Sequence, residues 1–140
     1  MSPDADDFWA RARTALQSAE KLVSSDPDAA ASRAYYAAFY ATSALFASEG
    51  RFFTKHSAVK QAVHRDLVQS GRWERDHGES YSVLLDLRAT GDYGGEQHVS
   101  QKEAEMAVQL ASRIVETVRI ALGTSESERL GTPDSGGDLG

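Results

Sequence analysis

The stretch Asp26-Pro-Asp-Ala-Ala-Ala-Ser-Arg-Ala-Tyr-Tyr-Ala-Ala-Phe-Tyr-Ala-Thr-Ser-Ala-Leu-Phe-Ala-Ser-Glu-Gly50 reads as one long helix. Asp26 is a helix-capping residue type and Gly50 a terminator. Ala34, Ala37, Ala38, Ala41 and Ala44 are small enough for a neighbouring helix to approach closely. Tyr35, Tyr36, Phe39, Tyr40 and Phe46 supply bulk elsewhere around the same helix. A helix apolar on most of its surface must be covered on most sides. It therefore sits at the centre of a bundle, or its second face meets another subunit. A homodimer is the expected assembly, since two-fold pairs are the commonest oligomers.

Outward from this helix the punctuation stays helical. Proline occurs only at 3, 27 and 133, and no segment alternates with period two for long. A first helix is predicted over Pro3–Ser24, with Ser2 as cap and Pro3 at the first helical position. A third is predicted from Ser57 to Ser70, before Gly71, and a fourth from Trp73 to Gly91. The pattern Ser100-Gln-Lys-Glu103 is a capping box that opens a fifth. That helix is predicted to end at Leu122, before Gly123, with Met106, Leu110, Ile114, Val118 and Ala121 on its buried face. The expected fold is all-α: an antiparallel bundle of four to five helices over residues 1–123. Residues 124–140 are rich in Gly, Ser and acid, which predicts a disordered tail.

Composition narrows the function classes. A chain of 140 residues fits one domain. There are no cysteines, which excludes a disulfide scaffold, a thiolate metal site and a cysteine nucleophile. The longest apolar run, Ala34–Ala41, is far shorter than the ~18 residues of a membrane span. The acidic Met1–Asp7 segment lacks the apolar core of a signal peptide. A cytoplasmic protein that does not enter membranes is expected. The net charge of −6 argues against a general nucleic-acid coat. The segment from Arg51 to Arg75 nevertheless carries a local net charge of +4, with Lys55, Lys60, His56 and His64 inside it. Such a stretch either holds a phosphate backbone or is a solvated helix face.

The candidate chemistry centres on Arg88. Tyr81, Leu84, Leu85 and Arg88 fall on one helical stripe, so a guanidinium is carried on an apolar face. Burying that group without a partner is costly. It is therefore paired, Asp92 being the nearest candidate one turn on, or it points into a site. A guanidinium cannot act as a base, but it can hold a phosphate or stabilise charge developing there. Arg33 either joins this electropositive site or is a surface residue. His56, in Lys55-His56-Ser57, either contributes to anion binding or is a loop histidine. Together with Lys60, these residues are the candidate contacts to RNA or a nucleotide. The histidine spacings fit no metal site, so no metal and no cofactor are expected. Gly94-Gly95 lacks the pattern of a phosphate loop.

Ser32-Arg-Ala-Tyr-Tyr-Ala-Ala-Phe-Tyr-Ala41, Lys55-His56-Ser57 and Leu87-Arg-Ala-Thr-Gly-Asp-Tyr93 occur in this order, and the whole resembles the HEPN-domain family over about residues 5–122. The resemblance implies a dimeric helical bundle whose functional motif faces a cleft between subunits. It also implies a toxin of a toxin–antitoxin or defence system. Many such toxins are metal-independent endoribonucleases, neutralised by a minimal nucleotidyltransferase that in some cases adds AMP to a tyrosine near the motif. Arg88 matches the first position of the family's Arg-to-His motif, which has four to six intervening residues. The positions where the histidine falls are Tyr93, Gly94 and Gly95. The catalytic candidates are accordingly Arg88, Asp92 and Tyr93, with Tyr93 also the candidate for nucleotidylation. The alternative the resemblance leaves open is a non-catalytic RNA- or nucleotide-binding partner of the nucleotidyltransferase.

Overall fold

A computed structural model describes residues 2–93 and 95–130, the last seven as backbone only. Five α-helices make up the described chain: α1 (Pro3–Leu22), α2 (Pro27–Ser48), α3 (His56–Ala62), α4 (Arg75–Tyr93) and α5 (Gln101–Leu130). A π-helical segment, Val63–Val68, continues α3 directly. The result is an all-α bundle, as the periodicity predicts. None of the described helices is long and apolar enough to cross a membrane.

The starts of the helices follow from capping chemistry. The Ser2 hydroxyl accepts from the Ala5 amide at 3.2 Å. The Asp26 carboxylate accepts from the Ala29 amide at 3.1 Å. At α5 the capping box closes in both directions, from the Ser100 amide to Glu103 and from the Glu103 amide to Ser100, each at 3.0 Å. Each cap satisfies amides that the first helical turn leaves without a partner. At the far end of α2, Gly50 takes φ +79°, a conformation that admits glycine at little cost.

The second helix is the central one. Thirteen of its 22 residues are buried, and it packs against α1, α4 and α5. At about 100° per residue, its alanines fall on one half of the cylinder and its aromatic residues on the other. Ala12, Ala15 and Ala19 of α1 and Ala104, Ala107 and Ala111 of α5 are also fully or almost fully buried. The bundle core is thus alanine against alanine on one side of α2. The larger rings of Tyr35, Phe39 and Phe46 lie toward α3, α4 and the segment between α2 and α3. The buried Thr42 hydroxyl donates back to the Ala38 carbonyl at 2.6 Å, so it adds no unpaired polar group.

Three details depart from the pattern read in the sequence. The buried face of α5 carries Ala104, Ala107, Ala111, Ile114 and Val118, whereas Met106 is 41% exposed. Close helix contact selects the small side chains there, so bulk is a misleading guide to which face is inside. Helix α5 also runs on through Gly123 to Leu130. One helical glycine costs only about 1 kcal/mol relative to alanine, too little to stop a helix without a proline behind it. The rest of the predicted tail, residues 131–140, lies outside the described residues. Finally, the expected plain helix over 57–70 is interrupted by the π-helical segment, which lies against Gly78 of α4. A Cβ at Gly78 would fall 2.8 Å from Val68 Cγ2.

The C-terminal end of α4 meets the start of α2 at a second glycine. A Cβ on Gly91 would lie 2.8 Å from the Asp28 carbonyl oxygen, a backbone atom that cannot swing away. The Asp28 carboxylate in turn accepts from the Val99 amide and from His98 Nδ1, both at 2.7 Å, and so ties the segment before α5 to the same point. Burial of additional volume at such a contact costs about 1–3 kcal/mol. Gly91→Ala is therefore expected to lower stability by that amount in chemical denaturation. Gly123→Ala, whose Cβ meets nothing within 4 Å, should raise it by up to about 1 kcal/mol. Equal effects at both positions would contradict the packing described.

Candidate functional site

Arg88 projects from α4 onto the aromatic half of α2. Its Nε donates to Asp92 Oδ2 at 2.9 Å, and Nη2 donates to the Tyr36 hydroxyl at 3.3 Å. The guanidinium carbon lies 5.4 Å from the centroids of both the Tyr35 and the Tyr36 rings, within the range of cation–π attraction. Its side chain remains 30% exposed. Among the described residues Nη1 has no partner, and it is not sealed from solvent. One guanidinium edge is thus held by protein while a donor stays available to an anion.

His56, the first residue of α3, closes the other side of this cluster. Its ring stacks on Phe39 with centroids 4.2 Å apart and planes 3° from parallel. It also lies 5.8 Å from the Tyr35 ring and 5.7 Å from the Tyr36 ring, the two rings that Arg88 covers. Nδ1 shares a 2.8 Å hydrogen bond with the Tyr35 hydroxyl. Burial and the nearby Arg88 charge both hold the imidazole pKa below its ordinary value, which favours the neutral ring. Burial raises the Tyr35 pKa, partly opposed by Tyr81 and Arg88. Behind Tyr35, the Tyr81 hydroxyl is fully buried and has no hydrogen-bond partner of its own among the described residues. Burial, and the adjoining Tyr35, push its pKa well up.

The structure brings together some of the residues singled out in the sequence and separates others. Arg88, Asp92 and His56 share the cluster. Arg33 joins its edge, with its guanidinium 4.9 Å from the Tyr36 centroid. Tyr93 ends α4 and is 86% exposed. Five residues beyond Arg88, it lies about 140° around the helix from that residue. Lys55 precedes α3 as an exposed residue without a side-chain cap bond. Lys60 lines a separate shallow depression of about 650 Å³ with Ser57, Gln61, His64, Arg65 and Gln69. The remaining histidines are engaged elsewhere: His64 with Ser82, His77 with Thr117, and His98 with Asp28. Three of the six basic side chains in the stretch 51–75 are engaged in ion pairs. Arg51 and Arg65 both pair with Asp66 at 2.7 Å, and Arg72 pairs with Glu49 at 2.6 Å. The first two arginines hold the Asp66 carboxyl well below the usual carboxylate range. Two further residues of α2 complete the site, Tyr35 and Tyr36. Their signal in the sequence is adjacency to Arg33 on the same helix.

The lowered pKa of His56 has a thermodynamic consequence. The unfolded chain, with an ordinary histidine near pH ~6.5, binds a proton that the folded site resists. The stabilising difference is therefore complete above that pH and declines as pH falls through it toward the folded value. Thermal melts of wild type and His56→Gln between pH 7.5 and 5.5 are expected to show the wild type losing more stability on acidification. Parallel losses would contradict the assigned environment.

Comparison with known proteins places this chain in a lineage. Over 90 residues the chain is 39% identical to a UPF0332 protein of Thermotoga maritima, covering 63% of this chain and 68% of that one. It is 28% identical over 96 residues to the putative toxin MJ0142 of Methanocaldococcus jannaschii, covering 68% and 65%. The chain thus spans about two thirds of the length of these relatives. Among solved structures, the crystal structure of TT1696 from Thermus thermophilus superposes with a TM-score of 0.74 at 25% identity. That match covers 84% of this chain and 98% of the other. The sequence model of the HEPN domain matches residues 5–121, a span that contains α2 to α4, most of α1 and α5, and every residue of the Arg88 cluster. The chain belongs to the HEPN domain family.

Proposed function

We propose that this protein is a HEPN-type toxin of a toxin–antitoxin or defence system, acting in the cytoplasm as a metal-independent endoribonuclease. The observation that carries this reading is the state of Arg88. Its Nε edge is fixed by Asp92 and its Nη2 by Tyr36, while Nη1 has no partner among the described residues and is not sealed from solvent. A phosphodiester is an anion that gains charge at its non-bridging oxygens during cleavage, and a fixed, partly desolvated guanidinium stabilises that charge. The likeness to MJ0142 supports the toxin assignment. The half-buried Tyr36, Phe39 and Tyr40 beside Arg88 and Arg33 suit a cleft completed by a second copy of the chain.

A second reading is favoured by two specific observations. No histidine follows Arg88 at positions 93–95, and Tyr93 stands 86% exposed at the end of α4, open to a modifying enzyme. In this reading the protein is a non-catalytic RNA- or nucleotide-binding partner of a minimal nucleotidyltransferase, with Tyr93 as AMP acceptor.

Cellular RNA incubated with the purified protein in the presence of a chelator separates the two. The endoribonuclease reading predicts cleavage that falls about 100-fold or more in Arg88→Ala. Intact RNA, or cleavage indifferent to Arg88→Ala, contradicts it. The partner reading predicts no cleavage, together with a mass increase of one AMP on coexpression with the nucleotidyltransferase, lost in Tyr93→Phe.

A further inference from the structure

Arg88 supplies charge to the site but moves no proton, and Asp92 is occupied by the Arg88 Nε. Of the four histidines, three are bound to side chains outside the cluster. His56 alone lies within 6 Å of the two rings on which Arg88 rests. We infer that His56 is the proton-accepting residue of the Arg88 site. Its Nε2 takes the 2′-hydroxyl proton of a ribonucleotide whose 3′-phosphate lies on the Arg88 guanidinium. This inference rests on the endoribonuclease reading above.

The geometry prepares the imidazole for that task. Stacking on Phe39 fixes the ring plane, and the Tyr35 hydroxyl holds Nδ1. Among the described residues Nε2 has no hydrogen-bond partner, and it is not sealed from solvent. A histidine accepts a proton at Nε2 when Nδ1 carries the hydrogen and donates it. Tyr35 can serve as that acceptor, because a phenol hydroxyl both donates and accepts. Tyr35 is thus a positioning residue. The groups facing His56 are Tyr35 and Tyr36 from α2 and Arg88 from α4. Burial and the Arg88 charge both favour the neutral ring, the form a base requires.

The reaction balances without any cofactor. As the proton moves to Nε2, the 2′-oxygen forms a bond to phosphorus and the bond from phosphorus to the 5′-oxygen breaks. A water molecule protonates the departing 5′-oxygen, and His56 returns its proton to the hydroxide left behind. The products are a 2′,3′-cyclic phosphate and a 5′-hydroxyl end, and nothing is oxidised or reduced.

The test uses the full chain and a DNA oligonucleotide containing one ribonucleotide, so that only attack by a 2′-hydroxyl can cut it. Wild type is expected to cut after the ribose and leave a cyclic phosphate, with a rate that rises with pH and then levels. His56→Gln should still melt in one cooperative transition and keep the oligonucleotide affinity, but lose about 100-fold or more in rate together with the pH-dependent limb. Imidazole added to His56→Ala should restore part of the rate. Tyr35→Phe should lower kcat with little change in KM and displace the pH profile, and it serves as the second probe if His56→Gln does not fold. Cleavage by His56→Gln at the wild-type rate and pH profile overturns the role of His56. If Arg88→Ala is inactive in that case, the endoribonuclease reading survives it. A wild type that cuts neither this probe nor cellular RNA overturns both.

Discussion

Alanine on one half of α2 forces the aromatic mass onto the other, and the candidate site is a product of that division. Seven buried alanines from Ala30 to Ala44 allow other helices to pack closely around α2. Tyr35, Tyr36 and Phe39 then have room only toward α3 and α4, where Arg88 and His56 arrive. A larger residue in the alanine half would separate the helices. It would also move the rings on which both functional side chains rest.

Those rings solve an electrostatic problem. A guanidinium on an apolar helix stripe is costly unless something replaces its water. Here one carboxylate, one phenol hydroxyl and two π faces do so. The compensation is incomplete at Nη1, and that remaining demand makes the position attractive to a phosphate. The same two rings keep His56 close to a positive charge, which disfavours its protonated form. Packing, charge and protonation state are consequently coupled through Tyr35 and Tyr36.

Most of the fold was legible because its signals are local. Ser2, Asp26 and the Ser100–Glu103 box cap helices where their chemistry predicts. The i, i+4 pair of Arg88 and Asp92 was equally readable. What escaped depends on partners distant in sequence. The buried face of α5 is set by how closely another helix approaches, so Ala107 lies inside and Met106 partly outside. In the basic stretch 51–75, Arg72 is paired by Glu49, which lies outside it, and Arg51 and Arg65 share the single carboxylate of Asp66. His56 reaches the Arg88 cluster through the turn between α2 and α3, which no helical spacing encodes.

The central claim is that Arg88 and His56 belong to one phosphate-binding site. Nitrogen-15 NMR of the Arg88 guanidinium and the His56 imidazole, followed during titration with a dinucleotide whose 2′-hydroxyl is replaced by hydrogen, tests it most directly. The account predicts that both signals shift along a single saturation curve while the His98 ring stays unchanged. Independent curves for the two residues, or shifts confined to the Lys60 and Arg65 face, would contradict it.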